Sequence, residues 1–406
     1  MRNGPGQHHA RADAGQTEFC PAPNPCNTAE LRQRFPVRIV HPMSRLSRLQ
    51  AALGGLAAWG ATTHAMALIF FGTADPAFHT TAPTGEYSES GWQWLVDGGF
   101  CATVIGPHHV VSARHLGLTA GIQFRYKGLL YEAIRVASPA TGDLSLLEIA
   151  GRMPDAAPRY RGTNEIGSTL FMTGRGTPRG EPVYGPPPDG TRLQGWRWGN
   201  APGDLRWGTN SVAETYLAKP TDPITGDYLV SYFTDQGGND LTTLSIGDSG
   251  GGGFIRDDDG TWKLAGVNYG VEAVFNTTTT GDGFYAALFD RTGFYEFDDD
   301  QKAWIIDPSQ ADQPGTSFLL TRISSYNDWL DTELARPPET DWPRLMSSDS
   351  VDGPYLEHPA YSVLIKSKSF SVSAGDARRF FRLESDQPLT VKAPSLQKGM
   401  LIFTYE

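Results

Sequence analysis

The chain has 406 residues, of which 39% are hydrophobic and 19% charged, so two to three domains with a sizeable core are possible and wholesale disorder is not. Its 46 glycines and 29 prolines show no collagen-like period and favour short strands joined by many loops. Three cysteines exclude a disulfide-dense scaffold, and a formal net charge of -11 disfavours nucleic acid as a partner. Residues 1–42 carry scattered Pro, Gly, Arg and His without apolar periodicity. The basic stretch Met43-Ser44-Arg45-Leu46-Ser47-Arg48 then precedes an apolar run, Ala51 to Ala61, and the small-residue sequence Ala65-Met66-Ala67. These are the three parts of a secretory signal peptide. We therefore expect translation from Met43, cleavage after Ala67 and a secreted or periplasmic product, with no stable membrane insertion once the leader is removed. The competing reading, a membrane anchor from Ala51 to Phe71, is interrupted by Thr62-Thr63-His64. Residues 1–67 hold seven arginines and three acidic residues, which leaves 27 basic against 42 acidic residues, a net of -15, in the remainder. That remainder keeps one cysteine, Cys101, so no intramolecular disulfide is expected in it.

From Trp92 onward, apolar residues come in short runs bounded by Gly, Pro and Asp. Strands are predicted at Phe100–Ile105, Val110–Ala113, Ile122–Tyr126, Leu144–Ile149, Leu170–Thr173, Tyr228–Phe233 and Leu264–Tyr269. Their spacing suits a barrel or sandwich. Helical periodicity appears at Ser324–Leu334, with Tyr326, Trp329, Leu330 and Leu334 on one face, and Pro337-Pro338 ends it. Residues 336–354 read as a linker. Beyond them, Tyr361–Ile365, Phe370–Val372, Phe380–Leu383, Leu389–Val391 and Leu401–Tyr405 suggest a small all-β appendix over 355–406. Two acidic runs, Asp257-Asp258-Asp259 and Asp298-Asp299-Asp300, lack the alternating spacing of a calcium loop and read as solvated loop tips. No metal or other cofactor is expected.

The densest chemical signal is Gly247-Asp248-Ser249-Gly250-Gly251. A serine among glycines implies a sharp turn with exposed backbone N–H groups beside a hydroxyl, which an acyl-transfer site needs. A serine hydroxyl is a weak nucleophile and requires a base. After residue 67 the histidines are His79, His108, His109, His115 and His358. His115 follows Val110-Val111-Ser112-Ala113-Arg114, a strand running into a turn that can hold an imidazole firmly. His108 and His109 follow Gly106-Pro107 and read as an exposed hairpin turn. An orienting carboxylate is offered by Asp143, at the head of the apolar strand Leu144–Ile149, where its other reading is a turn cap.

The order His, Asp, Ser resembles that of the trypsin-like (chymotrypsin-family) serine proteases, of the bacterial secreted type. Phe100–Ile105 looks like the family's strand before the histidine, Val110–His115 like its histidine box, and Asp143–Leu147 like its aspartate strand. Leu170–Gly176 is similar to the strand opening the second barrel, Gly247–Gly251 to the serine box, Leu264–Gly270 to the cleft strand and Ser324–Leu330 to the terminal helix. The likeness covers about residues 90–335. It implies an all-β fold of two antiparallel β-barrels with a C-terminal helix over 68–335. His115 and Asp143 would come from the first barrel and Ser249 from the second, with the backbone N–H groups of Gly247 and Ser249 as oxyanion hole. It further implies a serine endopeptidase acting on a protein or peptide substrate, expected as a monomer.

The chain departs from the family pattern in several places. Leu116 stands where many relatives have the cysteine that pairs with Cys101, so Cys101 is expected as a buried free thiol. The short gap from His115 to Asp143 implies trimmed loops in the first barrel. Residues 177–240, rich in Trp, Gly and Pro, imply large loops near the cleft, and 281–317 look like an insertion. By family alignment the pocket floor is Thr243, which has no charge for Lys or Arg. Asn268, Tyr269 and Gly270 would line the mouth, giving a pocket for small or medium uncharged side chains. In many relatives a newly cut N-terminus pairs with the acid before the nucleophile, here Asp248. Cleavage after Ala67 would expose Leu68-Ile69-Phe70, while a local partner for Asp248 would make such a step unnecessary. Two further readings are kept. One is a trypsin-fold binding module without catalysis. The other is an α/β-hydrolase esterase, which needs the order Ser, acid, His and a helix after the serine, where this chain has Gly250 to Gly253.

Overall fold

The predicted strands form close to where apolar runs meet Gly, Pro and Asp. In this computed structural model, residues 68–406 are described, apart from 187–189, 201–202, 221, 223, 299–300, 314, 338–341 and 376–378. The expected leader lies outside the described residues. What is described is predominantly β, with one short α-helix, and its sheets curl into partial barrels.

The first sheet runs in the order Thr103–Gly106, His109–Ser112, Ser145–Ile149, Leu129–Ala137, Gln123–Tyr126, every neighbour antiparallel. Strand alternation splits its side chains between two interiors. Val110 and Leu147 face a core with Val104, Phe124 and Tyr131. Val111 and Leu146 face a second core, shared with Phe171, Phe254 and Val267 of the next sheet. Both faces of these central strands are buried, which is why they read as near-continuous apolar runs.

The second sheet has seven strands in the order Arg206–Ser211, Thr169–Gly174, Gly252–Arg256, Trp262–Val271, Ser317–Arg322, Asp227–Tyr232, Glu214–Leu217. The shared core between the two sheets fixes the seam along which the candidate site lies. The 3-10 turn Ile323–Tyr326 sets Tyr326 into that same core, and the α-helix Asn327–Leu334 that follows sets Leu330 there, with Trp329 and Leu334 against it. At the start of the described chain, Ile69–Phe70 pairs antiparallel with Thr242–Thr243, and Leu68 to Phe70 are fully buried.

The segments expected as long loops and an insertion build a third sheet of six strands. It joins the hairpin Arg179–Tyr184 and Leu193–Trp198 to Val274–Asn276, Phe284–Leu288, Tyr295–Asp298 and Ala303–Ile305. Buried Val183, Phe275, Ala286, Leu288 and Phe294 give it a core of its own.

The stretch expected as a linker contains the strand Arg344–Ser348, because Leu345 is buried with Tyr361, Val363 and Phe370. The C-terminal strands do not stand apart. Tyr361–Leu364 pairs with Gly151–Arg152, which follows the first-sheet strand Ser145–Ile149, and Ala150 shares the C-terminal core. Leu389–Val391 contributes a single bridge, Val391 to Tyr405.

Candidate active site

The first and second sheets bring His115, Asp143 and Ser249 into one hydrogen-bonded line. Asp143 follows Gly142, whose φ of 87° turns the chain sharply at the head of the strand Ser145–Ile149. His115 sits in the 3-10 turn Arg114–Leu116, directly after the strand His109–Ser112. Those two strands are neighbours, so the turn and the carboxylate meet at one end of the sheet. Asp143 Oδ1 accepts the His115 backbone N–H at 2.7 Å, and Oδ2 lies 2.7 Å from His115 Nδ1. His115 Nε2 lies 2.7 Å from Ser249 Oγ. A neutral imidazole with its proton on Nδ1 satisfies both contacts, donating to Asp143 and accepting from Ser249. Asp143 is 8% exposed, and Thr321 Oγ1 donates to its carbonyl at 3.0 Å, tying the first sheet's loop to the second sheet.

The loop that carries Ser249 is held by close backbone approach. Gly247 has φ 98°, and its N–H and that of Ser249 find no acceptor among the described residues. Both donors are thus unspent in the loop that carries the hydroxyl. At Gly250, with φ 85°, a Cβ would lie 2.4 Å from the Cys101 carbonyl oxygen. At Gly251 it would lie 2.0 Å from that of Thr173. The glycine run therefore packs directly onto neighbouring backbone and does not start a helix, as the esterase alternative would need.

Beneath the loop, the Asp248 carboxylate is buried. It accepts the N–H groups of Gly176 at 2.6 Å and Ser245 at 2.8 Å, and the Ser245 hydroxyl at 3.1 Å. The backbone N–H of Leu68 also donates to it. No cationic side chain among the described residues bonds it, and burial pushes it up to about 7. Cys101 is a free buried thiol, as expected, pushed up to about 12 by burial, with its Sγ 4.0 Å from the Gly247 carbonyl oxygen.

The substrate-pocket residues distribute differently from expectation. A cavity of about 180 Å³ opens beside Ser249 and is lined by Tyr269 and Gly270 as expected, but not by Thr243 or Asn268. Thr243 is fully buried because it is paired to Ile69, and the next residue, Leu244, takes the wall. Asn268 turns behind the loop, where its Nδ2 donates to the carbonyls of Thr173 at 2.8 Å and Asp248 at 3.0 Å. Its backbone bonds Gly250 and Gly251, so it braces the loop that carries Ser249 instead of facing the cavity. Leu116 and Trp198 also line the cavity and were not anticipated. The Trp-rich composition of 177–240 was the available signal for Trp198. Tyr269 stands edge-on to His115, ring centroids 5.9 Å apart, and is backed by Tyr228 at 4.9 Å.

The other histidines lie elsewhere. His109 is buried in its strand, not exposed in a turn, since it pairs with Glu148 in the middle of the sheet. His79 stacks on Trp207 at 3.4 Å and contacts Asp240 at 3.3 Å. His358 contacts Ser347 at 3.0 Å. Lys263 Nζ sits 2.6 Å from both Asp257 and Asp259, so a side-chain cation already answers that acidic run. Part of the run at 298–300 lies outside the described residues.

No family model matches the chain, and no curated protein does. Solved structures give weak likenesses, among them the following three. The passenger domain of plasmid encoded toxin, an autotransporter enterotoxin from enteroaggregative Escherichia coli, is 15% identical with a TM-score of 0.35. That match covers 59% of this chain and 22% of the toxin. Rv3671c from M. tuberculosis H37Rv, in its inactive form, is 14% identical at TM-score 0.35, covering 63% of this chain and 94% of that one. A mutant of human heparin binding protein is 14% identical at TM-score 0.36, covering 62% and 96%. Among the described residues no helix is long and apolar enough to cross a membrane.

Proposed function

We propose that this protein is an exported serine endopeptidase of the trypsin-like type. The observation that carries the reading is the line Asp143, His115, Ser249, with 2.7 Å at each side-chain link. Ser249 Oγ attacks the scissile carbonyl while His115 Nε2 takes its proton, later delivered to the leaving amine. Asp143 holds the imidazole in the tautomer with Nδ1 protonated and stabilises the imidazolium. The free N–H groups of Gly247 and Ser249 receive the oxyanion. The substrate is a protein or peptide, the enzyme acts as a monomer, and no cofactor takes part. A binding role without catalysis would leave this arrangement of nucleophile, base and orienting acid without a purpose.

Export rests on the leader sequence, with cleavage after Ala67. That cut would place a free α-amino group on the nitrogen of Leu68 that already donates to Asp248. Processing would thus supply the buried carboxylate beneath the oxyanion loop with a cation. The test of the function is a fluorophosphonate probe. Modification of Ser249, absent in Ser249→Ala, is the expected result, and well-folded wild-type protein that never labels would overturn the reading.

A further inference from the structure

The cavity beside Ser249 has walls that the two-barrel scaffold does not provide. Leu244 and Ile246 come from the loop before the nucleophile, and Tyr269 and Gly270 from the cleft strand. Leu116 adds a side from the turn that holds His115, and Trp198, the last residue of the strand Leu193–Trp198, is the wall that comes from the third sheet. This indole is braced from outside. It stacks on Tyr285 of the same sheet, with centroids 5.2 Å apart and planes at 23°, and it packs against the cores containing Phe70 and Trp196. A wall held this way keeps its shape when a ligand enters, so little ordering cost falls on binding.

Size and chemistry of the cavity are both informative. An apolar protein cavity of about 150 Å³ accepts a benzene ring, and this one measures about 180 Å³. Its one ionisable carboxylate, Asp248, is occupied from below by the donors of Gly176, Ser245 and Leu68. A Lys or Arg side chain would find no free counter-charge, and a Glu no free cation, so either would be desolvated without compensation. Ala or Gly would leave most of the space empty.

Resting on the endopeptidase reading above, we infer that the site cleaves after a large apolar residue of the Phe or Leu class, and that Trp198 is the specificity-determining side chain. Gly270 adds no side chain to the mouth, which leaves the way in open for a ring.

The experiment measures kcat/KM of the processed protein on peptides that differ only at the residue before the scissile bond, with Phe, Leu, Ala, Lys and Glu there. Fluorophosphonate labelling of Ser249 is recorded in the same preparation. Phe and Leu should exceed Lys and Glu by about 100-fold or more. Trp198→Ala should lower the Phe-to-Ala ratio by about 10- to 100-fold, an internal comparison that cancels any loss of folded protein. Trp198→Phe keeps a ring and removes the indole N–H, which is buried without a partner among the described residues. It should retain the preference. A protein that labels but favours Lys, Glu or Ala overturns this inference alone. So does an unchanged ratio in Trp198→Ala, or a Trp198→Phe variant that falls as far as the alanine variant. A protein that neither labels nor cleaves overturns the endopeptidase reading and this inference with it.

Discussion

The Asp248 carboxyl is bonded by N–H and O–H donors alone, and burial lifts it from an ordinary 3.8 to about 7. In a chain still joined at Ala67, that shift governs stability. Between about pH 4 and 7 the folded protein holds a proton that the unfolded chain has released, so stability falls as pH rises through this window. A gap of about three pH units corresponds to roughly 4 kcal/mol of stability lost by pH 8. Leu68 adds to the load, because φ 52° puts a fully buried leucine in the left-handed region, at about 1–3 kcal/mol. A cut before Leu68 frees that torsion and sets an α-amino group, titrating near 8 in isolation, against the carboxylate. The pair pulls Asp248 back down, and the acid-side window of lost stability closes. The perturbation is to compare a chain beginning at Leu68 with a free amine against the same chain acetylated there. The assay is the thermal midpoint from pH 4 to 8, together with the rate of fluorophosphonate labelling at pH 7.5. The free-amine form should hold a flat profile, while the acetylated form should lose several °C towards pH 8 and label more slowly. Superimposable profiles with equal labelling would refute the pairing of Leu68 with Asp248.

Asp143→Asn should lower turnover by roughly 10⁴ with the fold retained, since the amide favours the wrong imidazole tautomer; an unchanged rate with a normal melting curve would show that Asp143 only caps its turn. Cys101, buried and pushed up to about 12, should resist iodoacetamide at pH 8 in the native protein and react after denaturation. Rapid native alkylation, read by mass spectrometry, would show that the loop around Gly247 opens.

Much of this arrangement was legible in the chain itself. Strands such as His109–Ser112 and Ser145–Ile149 are apolar on both faces and bounded by turn residues, and that pattern survives any tertiary context. The helix Asn327–Leu334 announced itself by Tyr326, Trp329, Leu330 and Leu334 at helical spacing. His115 and Asp143 were each readable because a polar residue at the end of a buried strand has few roles open to it. Ser249 was readable because a glycine run has almost none besides close backbone approach.

The pocket was a different matter. Whether Thr243 or Leu244 faces the cavity depends on which side of a strand is turned outward, and a one-residue choice of register reverses that. The partner that decides it, Ile69, lies more than 170 residues away in sequence. Asn268 was drawn behind the Ser249 loop by two carbonyls, of Thr173 and Asp248, that local sequence does not bring near it. The third sheet, and Trp198 with it, arises from pairing two segments that read separately as loops and insertion. Composition, the apolar runs of the central strands and the choice of His115, Asp143 and Ser249 as candidates are local properties, and the sequence by itself determined them. Pocket walls, the company of Asp248 and the bracing of Trp198 are contacts between distant segments. They were decided only when the chain buried its apolar faces against one another.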